Sequence, residues 1–158
     1  MSTPSPTAPT RYARLSDLQS IVGSELGSSD WLTIAQDRID RFADATGDHQ
    51  WIHVDPTRAA AGPFGATVAH GFLTLSLLPL LLEQAFAVDD VRMGINYGLN
   101  RVRFMSPVRV GSRVRGRFRL IGYEALEGGA QLVTEATIEL DGASKPACVA
   151  EAVSRRYT

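Results

Sequence analysis

The sequence lacks the features that disulfide-bonded, membrane-spanning and polyanion-binding proteins need. Cys148 is the only cysteine, so no intrachain disulfide is possible, and we expect a reducing compartment, the cytoplasm. The 16 basic residues are balanced by 17 acidic ones, and no basic run is dense enough to bind nucleic acid by charge alone. The most apolar run, residues 72–82, is too short to cross a membrane and is interrupted by Ser76 and Pro79.

The chain divides by composition into a short N-terminal segment and one domain. Residues 1–14 are rich in Ser, Thr and Pro and lack the apolar core of a signal peptide, so we expect a disordered lead-in. The remaining segment, residues 15–158, has the length of one domain and can bury a substantial apolar core.

The N-terminal half of the chain has apolar residues at helical spacing. This spacing predicts helices over residues 16–26, 35–46, 57–61 and 70–88, and a short strand is expected at 30–34. The last helix is apolar nearly all round, so other elements should surround it. Pro79 removes one backbone hydrogen bond to the carbonyl of Leu75 and should bend this helix.

After residue 94 the apolar period changes from helical to two, which predicts strands. A change of register near Asn100 indicates a β-bulge, and Gly128-Gly129 is typical of a hairpin turn. Residues 113–120 alternate arginine with mostly apolar residues, as in a half-buried antiparallel strand. We therefore predict an α+β fold in which an antiparallel β-sheet wraps around a long central α-helix.

The side chains best suited to acid–base chemistry lie between the predicted helices. Gly47 should end the second helix, and Asp48 and His53 follow in a turn or loop. A carboxylate and an imidazole held together can share a water, one group taking its proton while the other donates one. Asp48 has a simpler alternative role, since Gly-Asp is also common turn chemistry.

A zinc site is a second alternative for this stretch. His49 and His53 are four residues apart, and on a helix they could bind zinc together with Asp48 or Asp55. The neighbouring Gly47 disfavours a helix at this point, so we expect no metal and a surface position for His49.

The same stretch resembles the MaoC-like hydratases and dehydratases of the hot-dog fold, which include the (R)-specific enoyl-CoA hydratases. Their pattern is an aromatic residue, small residues, Gly-Asp-x-Asn-Pro-aliphatic-His, five residues, then Ala or Ser. It is matched here by Phe42, Gly47-Asp48, Ile52-His53 and Ala59, and a later His-Gly pair by His70-Gly71. Gln50 and Trp51 replace the Asn-Pro pair, as they do in the NodN-like, mycobacterial-type branch that the chain is most similar to.

The resemblance implies reversible addition of water to trans-2-enoyl thioesters, giving (R)-3-hydroxyacyl thioesters. Asp48 and His53 would hold the water, and the Gly71 N–H would bind the thioester oxygen, with His70 and Ser76 as further substrate-binding candidates. No cofactor would be needed beyond the coenzyme A of the substrate, and acyl carrier protein is an alternative carrier. A homodimer is implied as well.

Three questions stay open at this point. The chain could instead be a hot-dog thioesterase, or a non-catalytic acyl-binding subunit of a heteromeric dehydratase, although the intact Asp-x4-His pattern favours hydration. Ser76 could simply bond back to its own helix. The arginine row at 113–119 is typical of a solvated strand face, but it could also contact the phosphates of coenzyme A.

Overall fold

The computed structural model describes residues 7–158, so residues 1–6 of the predicted lead-in lie outside it. Its strands are β1 (Thr10–Tyr12), β2 (Glu25–Ser28), β3 (Leu32–Thr33), β4 (Phe86–Val88), β5 (Met93–Phe104), β6 (Arg113–Leu126), β7 (Gly129–Leu140) and β8 (Cys148–Tyr157). Its α-helices are α1 (Gln36–Thr46), α2 (Trp51–Val54), α3 (Pro56–Ala60), α4 (Gly71–Ser76) and α5 (Leu78–Ala85), and a 3-10 helix spans Leu15–Ile21. The predicted α+β class is confirmed.

Six strands form one antiparallel sheet, in the order β2-β6-β7-β8-β5, with β3 also paired to β6. The β6–β7 hairpin turns at Gly128, whose φ of 71° is the left-handed conformation that glycine adopts without strain. The pairing of β5 with β8 shifts register twice, between Asn96 and Gly98 and between Leu99 and Arg101. The second shift leaves Asn100 unpaired with β8, so the predicted bulge near this residue is confirmed.

The inner face of the sheet packs on α4 and α5 and forms the core. Helix residues Leu73, Leu77 and Leu81 are buried against inward residues of β6 and β7 such as Phe118 and Ile138. Burying these side chains contributes about 1.5–3 kcal/mol each. The sheet therefore packs around the central helices as predicted, but it does not enclose them, because Phe72 and Leu80 of these helices are exposed.

The outer face of β6 carries the arginine row. Arg113 pairs with Asp141, Arg115 with Glu139, and Arg117 with both Glu25 and Glu139. These three arginines are held by carboxylates of neighbouring elements, as expected of a solvated strand face. Cys148 lies in the core, where burial raises the pKa of its thiol to about 11.

The predicted central helix over residues 70–88 is wrong in its continuity and its end. The chain forms two helices that meet at Leu77, and the second ends at Ala85. Pro79 explains the break, because it lies in the first turn of α5, where its missing N–H is least costly. Residues beyond Ala85 leave the helix to pair with β1. No helix within residues 7–158 has the length and apolarity needed to span a membrane.

The start of the chain also differs from the prediction. Strand β1 pairs in parallel with β4, Arg11 forms an ion pair with Asp89, and the Leu15 N–H donates to Asp90 at 2.8 Å. The part of the lead-in from residue 7 onward is therefore ordered rather than disordered. Composition could not reveal this, since the partner strand lies more than 70 residues away. The predicted helix over 16–26 is shortened to a 3-10 helix followed by β2.

Candidate active site

Three side chains from separate segments meet where the central helix begins. Asp48 follows α1, which ends at Gly47 with a φ of 82°, and His53 lies on the short helix α2 rather than in the predicted loop. His70 immediately precedes α4. A carboxylate oxygen of Asp48 and one imidazole nitrogen each of His53 and His70 lie within 4.8 Å of one another.

His53 is held in one orientation and one tautomer. Its side chain is buried, and Nδ1–H donates to the carbonyl of Val68 at 2.6 Å. Because a carbonyl only accepts, the proton of the neutral ring resides on Nδ1, which leaves the Nε2 lone pair available. The amide of Gln36 also donates to the main-chain carbonyl of His53, at 2.8 Å.

The environment of His53 favours its neutral form. Burial lowers the pKa of its ring below the ordinary value of 6.5, and the neighbouring His70 lowers it further. The hydrogen bond to Val68 and the charge of Asp48 oppose this shift without cancelling it. His53 is therefore neutral near pH 7 and able to accept a proton.

His70 joins the other two residues. Its ring stacks on that of His53, with centroids 3.8 Å apart and planes at 23°, and Phe42 packs on it at 4.9 Å. Its Nε2–H donates to the main-chain carbonyl of Asp48 at 2.9 Å. The opposite nitrogen, Nδ1, is buried and has no hydrogen-bond partner among residues 7–158.

The Asp48 carboxylate combines two functions. Its Oδ1 accepts a long hydrogen bond of 3.4 Å from the N–H of Gln50, so the turn role expected of Gly-Asp is present. The residue is exposed, and the bond occupies only part of its acceptor capacity. Asp48 can therefore cap its turn and still contact a water held by His53.

Aromatic side chains border the start of α4. The side chain of the N-cap residue, His70, makes no capping hydrogen bond to α4, which begins at Gly71. A Cβ built at Gly71 would come within 3.2 Å of the Phe104 ring, so a larger residue would displace that ring. Phe72, which is 70% exposed, packs edge-on against Phe104. The first N–H groups of α4 thus lie beside an open aromatic border.

Ser76 lies apart from the Asp48 cluster. Its hydroxyl donates to the carbonyl of Leu73 at 2.7 Å, as the structural alternative predicts. Ser76 also lines a cavity of about 530 Å³ between the central helices and the inner sides of β5, β7 and β8. Leu75 and Ser76 of α4 therefore connect the start of the central helix to this cavity.

Trp51, one of the two residues that depart from the Asn-Pro pair, has a packing role. Arg58 of α3 lies 4.4 Å above its ring, within the range of a cation–π contact. A Cβ at Gly62 would come within 3.0 Å of the same ring. The indole is thus enclosed between α3 and the chain that follows it.

His49 is separate from the cluster. It is exposed and contacts Asp44 at 2.9 Å, which raises the pKa of its ring. The zinc alternative that combined His49 with His53 is therefore not supported. Sequence reasoning missed Gln36 and the Val68 carbonyl, which orient His53, because neither belongs to the motif or to a distinctive spacing.

Comparison with known proteins identifies the family of the chain. The model of the MaoC like domain matches residues 17–142. The chain is 56% identical over 145 residues to 3-hydroxyacyl-thioester dehydratase Z of Mycobacterium tuberculosis, covering 91% of this chain and 96% of that protein. It is 54% identical over 140 residues to nodulation protein N of Rhizobium leguminosarum bv. viciae, covering 86% of each.

The fold agrees with a solved relative. The (R)-hydratase from A. caviae involved in PHA biosynthesis superposes with a TM-score of 0.67 at 26% identity, covering 84% of this chain and 94% of that one. With this fold, the matched domain and the two relatives above, the chain belongs to the MaoC-like dehydratase family of the hot-dog fold.

Proposed function

We propose that this chain catalyses the reversible hydration of trans-2-enoyl thioesters to (R)-3-hydroxyacyl thioesters, with Asp48 and His53 activating one water. The relative named 3-hydroxyacyl-thioester dehydratase Z supports the reaction, and the A. caviae (R)-hydratase supports its stereochemistry. The assignment rests on one observation: side-chain N and O atoms of Asp48, neutral His53 and His70 lie within 4.8 Å of one another.

The geometry supports a simple sequence of proton transfers. A water between the two side chains donates a hydrogen bond to the Asp48 carboxylate, and Nε2 of His53 accepts its other proton as the oxygen bonds to C3. That proton then returns to C2, so water has added across the double bond and both side chains regain their starting state. The thioester oxygen gains negative charge meanwhile, and the N–H of Gly71 is a suitable donor to it.

This scheme needs no metal or redox cofactor, and coenzyme A enters only as part of the substrate. His70 takes a positioning role in the scheme, since its two ring faces and Nε2 contact protein groups. Acyl carrier protein remains an alternative carrier, because the reacting atoms of the thioester are the same.

One assay separates this function from its rivals. Purified protein is incubated with crotonyl-CoA, and absorbance of the conjugated thioester is followed together with free thiol. We expect loss of absorbance without thiol release. Thiol release would identify a thioesterase instead, and no change in either signal would favour a non-catalytic acyl-binding subunit.

The product reports the stereochemistry. We expect no NADH when an (S)-specific 3-hydroxyacyl-CoA dehydrogenase is added, and rapid NADH formation would refute the (R) assignment. A water shared by two groups on one side of the substrate predicts syn addition. Hydration in D₂O that yields the anti-deuterated product would refute the shared water.

The pH dependence of kcat/KM is a further prediction. Because the pKa of free His53 is lowered below 6.5, protonation of its ring requires a more acidic solution. We therefore expect the midpoint of the acidic decline of kcat/KM for crotonyl-CoA to lie below pH 6.5. A midpoint above pH 6.5 would contradict a buried, neutral His53.

We also propose that the protein forms a homodimer through β5. This strand is the edge of the sheet, and its exposed residues include Met93, Ile95, Tyr97 and Leu99. An unpaired apolar edge of this length is a liability unless a second chain covers it. Pairing of two β5 strands would place the boundary beside Phe104, and hence beside the start of α4.

Replacing Leu99 by Asp is expected to convert the dimer to a monomer. Leu99 is exposed in the single chain, so the change introduces no buried charge there, whereas a paired edge would bury two carboxylates. Light scattering at micromolar concentration measures the mass of each variant. A monomeric wild-type protein would contradict the homodimer.

A further inference from the structure

The cavity of about 530 Å³ beside α5 is bordered by charged as well as apolar side chains. Small residues of the sheet, among them Gly94, Ala136 and Ala152, leave the space open, and most of its remaining border is apolar. Arg156 of β8 also borders it, together with Glu83 of α5. Polar Asn96, Thr134 and Ser154 line it too, and a mostly apolar border with a few polar groups is typical of sites that bind an apolar ligand with a polar end.

Arg156 has a side-chain donor that no other residue in the described part of the chain uses. Its Nε is buried and has no hydrogen-bond partner among residues 7–158. Within the same described residues, none of the ion pairs includes Arg156. Burial lowers the pKa of the guanidinium, and Glu83 only partly opposes this shift. An unsatisfied buried donor is costly, so its presence calls for an acceptor that arrives from outside the chain.

The backbone around Arg156 is shaped to hold the guanidinium against the cavity. Gly94 is its cross-strand partner, and a Cβ there would come within 2.9 Å of Nη1. The neighbouring Arg155 differs, since it donates to Gln131 and its guanidinium lies 3.7 Å from the Tyr97 ring. Of the two adjacent arginines, only Arg156 borders the cavity.

Arg156 lies far along the cavity from the start of the central helix. His70 of the Asp48 cluster precedes α4, and Glu83 of α5 follows it by 13 residues, which is about 20 Å at the rise of an α-helix. Glu83 and Arg156 border the cavity together, and they also border a second, smaller cavity beyond it. An extended acyl chain that enters beside Ser76 would therefore reach Arg156 with its far end.

We propose that Arg156 recognises an oxygen acceptor at the far end of the acyl chain, so that the preferred substrates are thioesters of chains with a polar terminus. A carboxylate is the best form of this acceptor, because the planar guanidinium matches it with two parallel hydrogen bonds. Glu83 is exposed at the rim and leaves the Nε donor unpaired. This inference rests on the proposed hydratase function and adds the class of acyl chain.

The test compares substrates that differ only at the terminal carbon. They are the coenzyme A thioesters of trans-2-octadecenoic acid, its terminal hydroxyl derivative and the corresponding dicarboxylic acid, because this chain is long enough to extend from Asp48 and His53 to Arg156. We expect wild-type kcat/KM to be about tenfold or more higher for the dicarboxylic thioester than for the methyl-ended one. A preference for the hydroxyl derivative instead would identify a neutral oxygen as the acceptor and would still support the proposal.

Arg156→Met should bring the ratio of the dicarboxylic to the methyl-ended substrate to about one, because the terminal acceptor then has no partner. Arg155→Met is the matched control, and we expect it to keep the wild-type ratio. Circular dichroism and thermal unfolding check the fold of both. If Arg156→Met does not fold, Arg156→Lys, which retains the charge but loses the Nε donor, is expected to lower the ratio.

Two outcomes would overturn the inference. One is a wild-type ratio of one or less for both polar-ended substrates, and the other is an unchanged ratio in a folded Arg156 variant. Crotonyl-CoA separates failure of this inference from failure of the proposed hydratase function, since its acyl chain is too short to reach Arg156. Hydration of crotonyl-CoA without a preference for polar ends refutes the inference alone, whereas no hydration of any thioester refutes the proposed function.

Discussion

Replacing His53 by Gln, or Asp48 by Asn, is expected to lower kcat for hydration of crotonyl-CoA by about 10²–10⁴-fold. Gln cannot accept a proton at the position of Nε2, and Asn offers no negative charge to the shared water. Each change nearly conserves side-chain volume, and the exposed Asp48 packs against little, so the fold should remain.

The double variant gives the sharper result. Because the two side chains act on one water in one step, their effects should not add, and the double variant should be about as slow as the slower single variant. His49→Gln is the control, since His49 is exposed and bonded to Asp44, and it should turn over like wild type. Near wild-type turnover in either single variant, with unchanged circular dichroism, would refute the role of that residue.

Replacing His70 by Ala is expected to lower kcat by about 10²-fold although His70 handles no proton in the scheme. The change removes the donor that holds the Asp48 carbonyl and the ring that supports one face of His53. Both reacting groups would then lose their positions relative to the water. KM should change much less than kcat, because the change leaves the cavity intact.

Two further measurements separate positioning from general destabilisation. His70→Phe retains a stacked ring but lacks the donor to Asp48, so it should recover part of the loss. In His70→Ala the ring that helps to lower the pKa of His53 is gone, so the acidic decline of kcat/KM should move up toward pH 6.5. A pH profile identical to wild type, with kcat unchanged, would show that His70 is not a positioning residue.

The sequence predicts the architecture well where a pattern is local. The two-residue period of β6 and β7 and the glycine turn between them are confirmed, because strand alternation and turn chemistry depend on neighbouring residues. The pairing of β1 with β4 was missed, because it depends on residues distant in sequence. The predicted disturbance at Pro79 is present, but the sequence predicted a bend where the structure has two helices that meet at Leu77.

The candidate site follows the same division. The motif predicts Asp48 and His53 as the catalytic candidates, and the family match supports a hydratase or dehydratase reaction. The motif could not predict that His70 would stack on His53 and bond to Asp48, because these contacts require α4 to begin beside the Gly47 turn. Nor could the sequence predict that Arg156 borders a cavity together with Glu83, because the two residues are distant in sequence and meet only in the folded chain.

The enclosure of Trp51 has a consequence for sequence variation. Its indole packs directly on position 62, where a Cβ would press on the ring at 3.0 Å, and position 58 supplies a cation that covers the ring. These three positions should therefore change together as the family diverges. A chain with proline at position 51 is released from the preference for glycine at 62, and one with tryptophan is not.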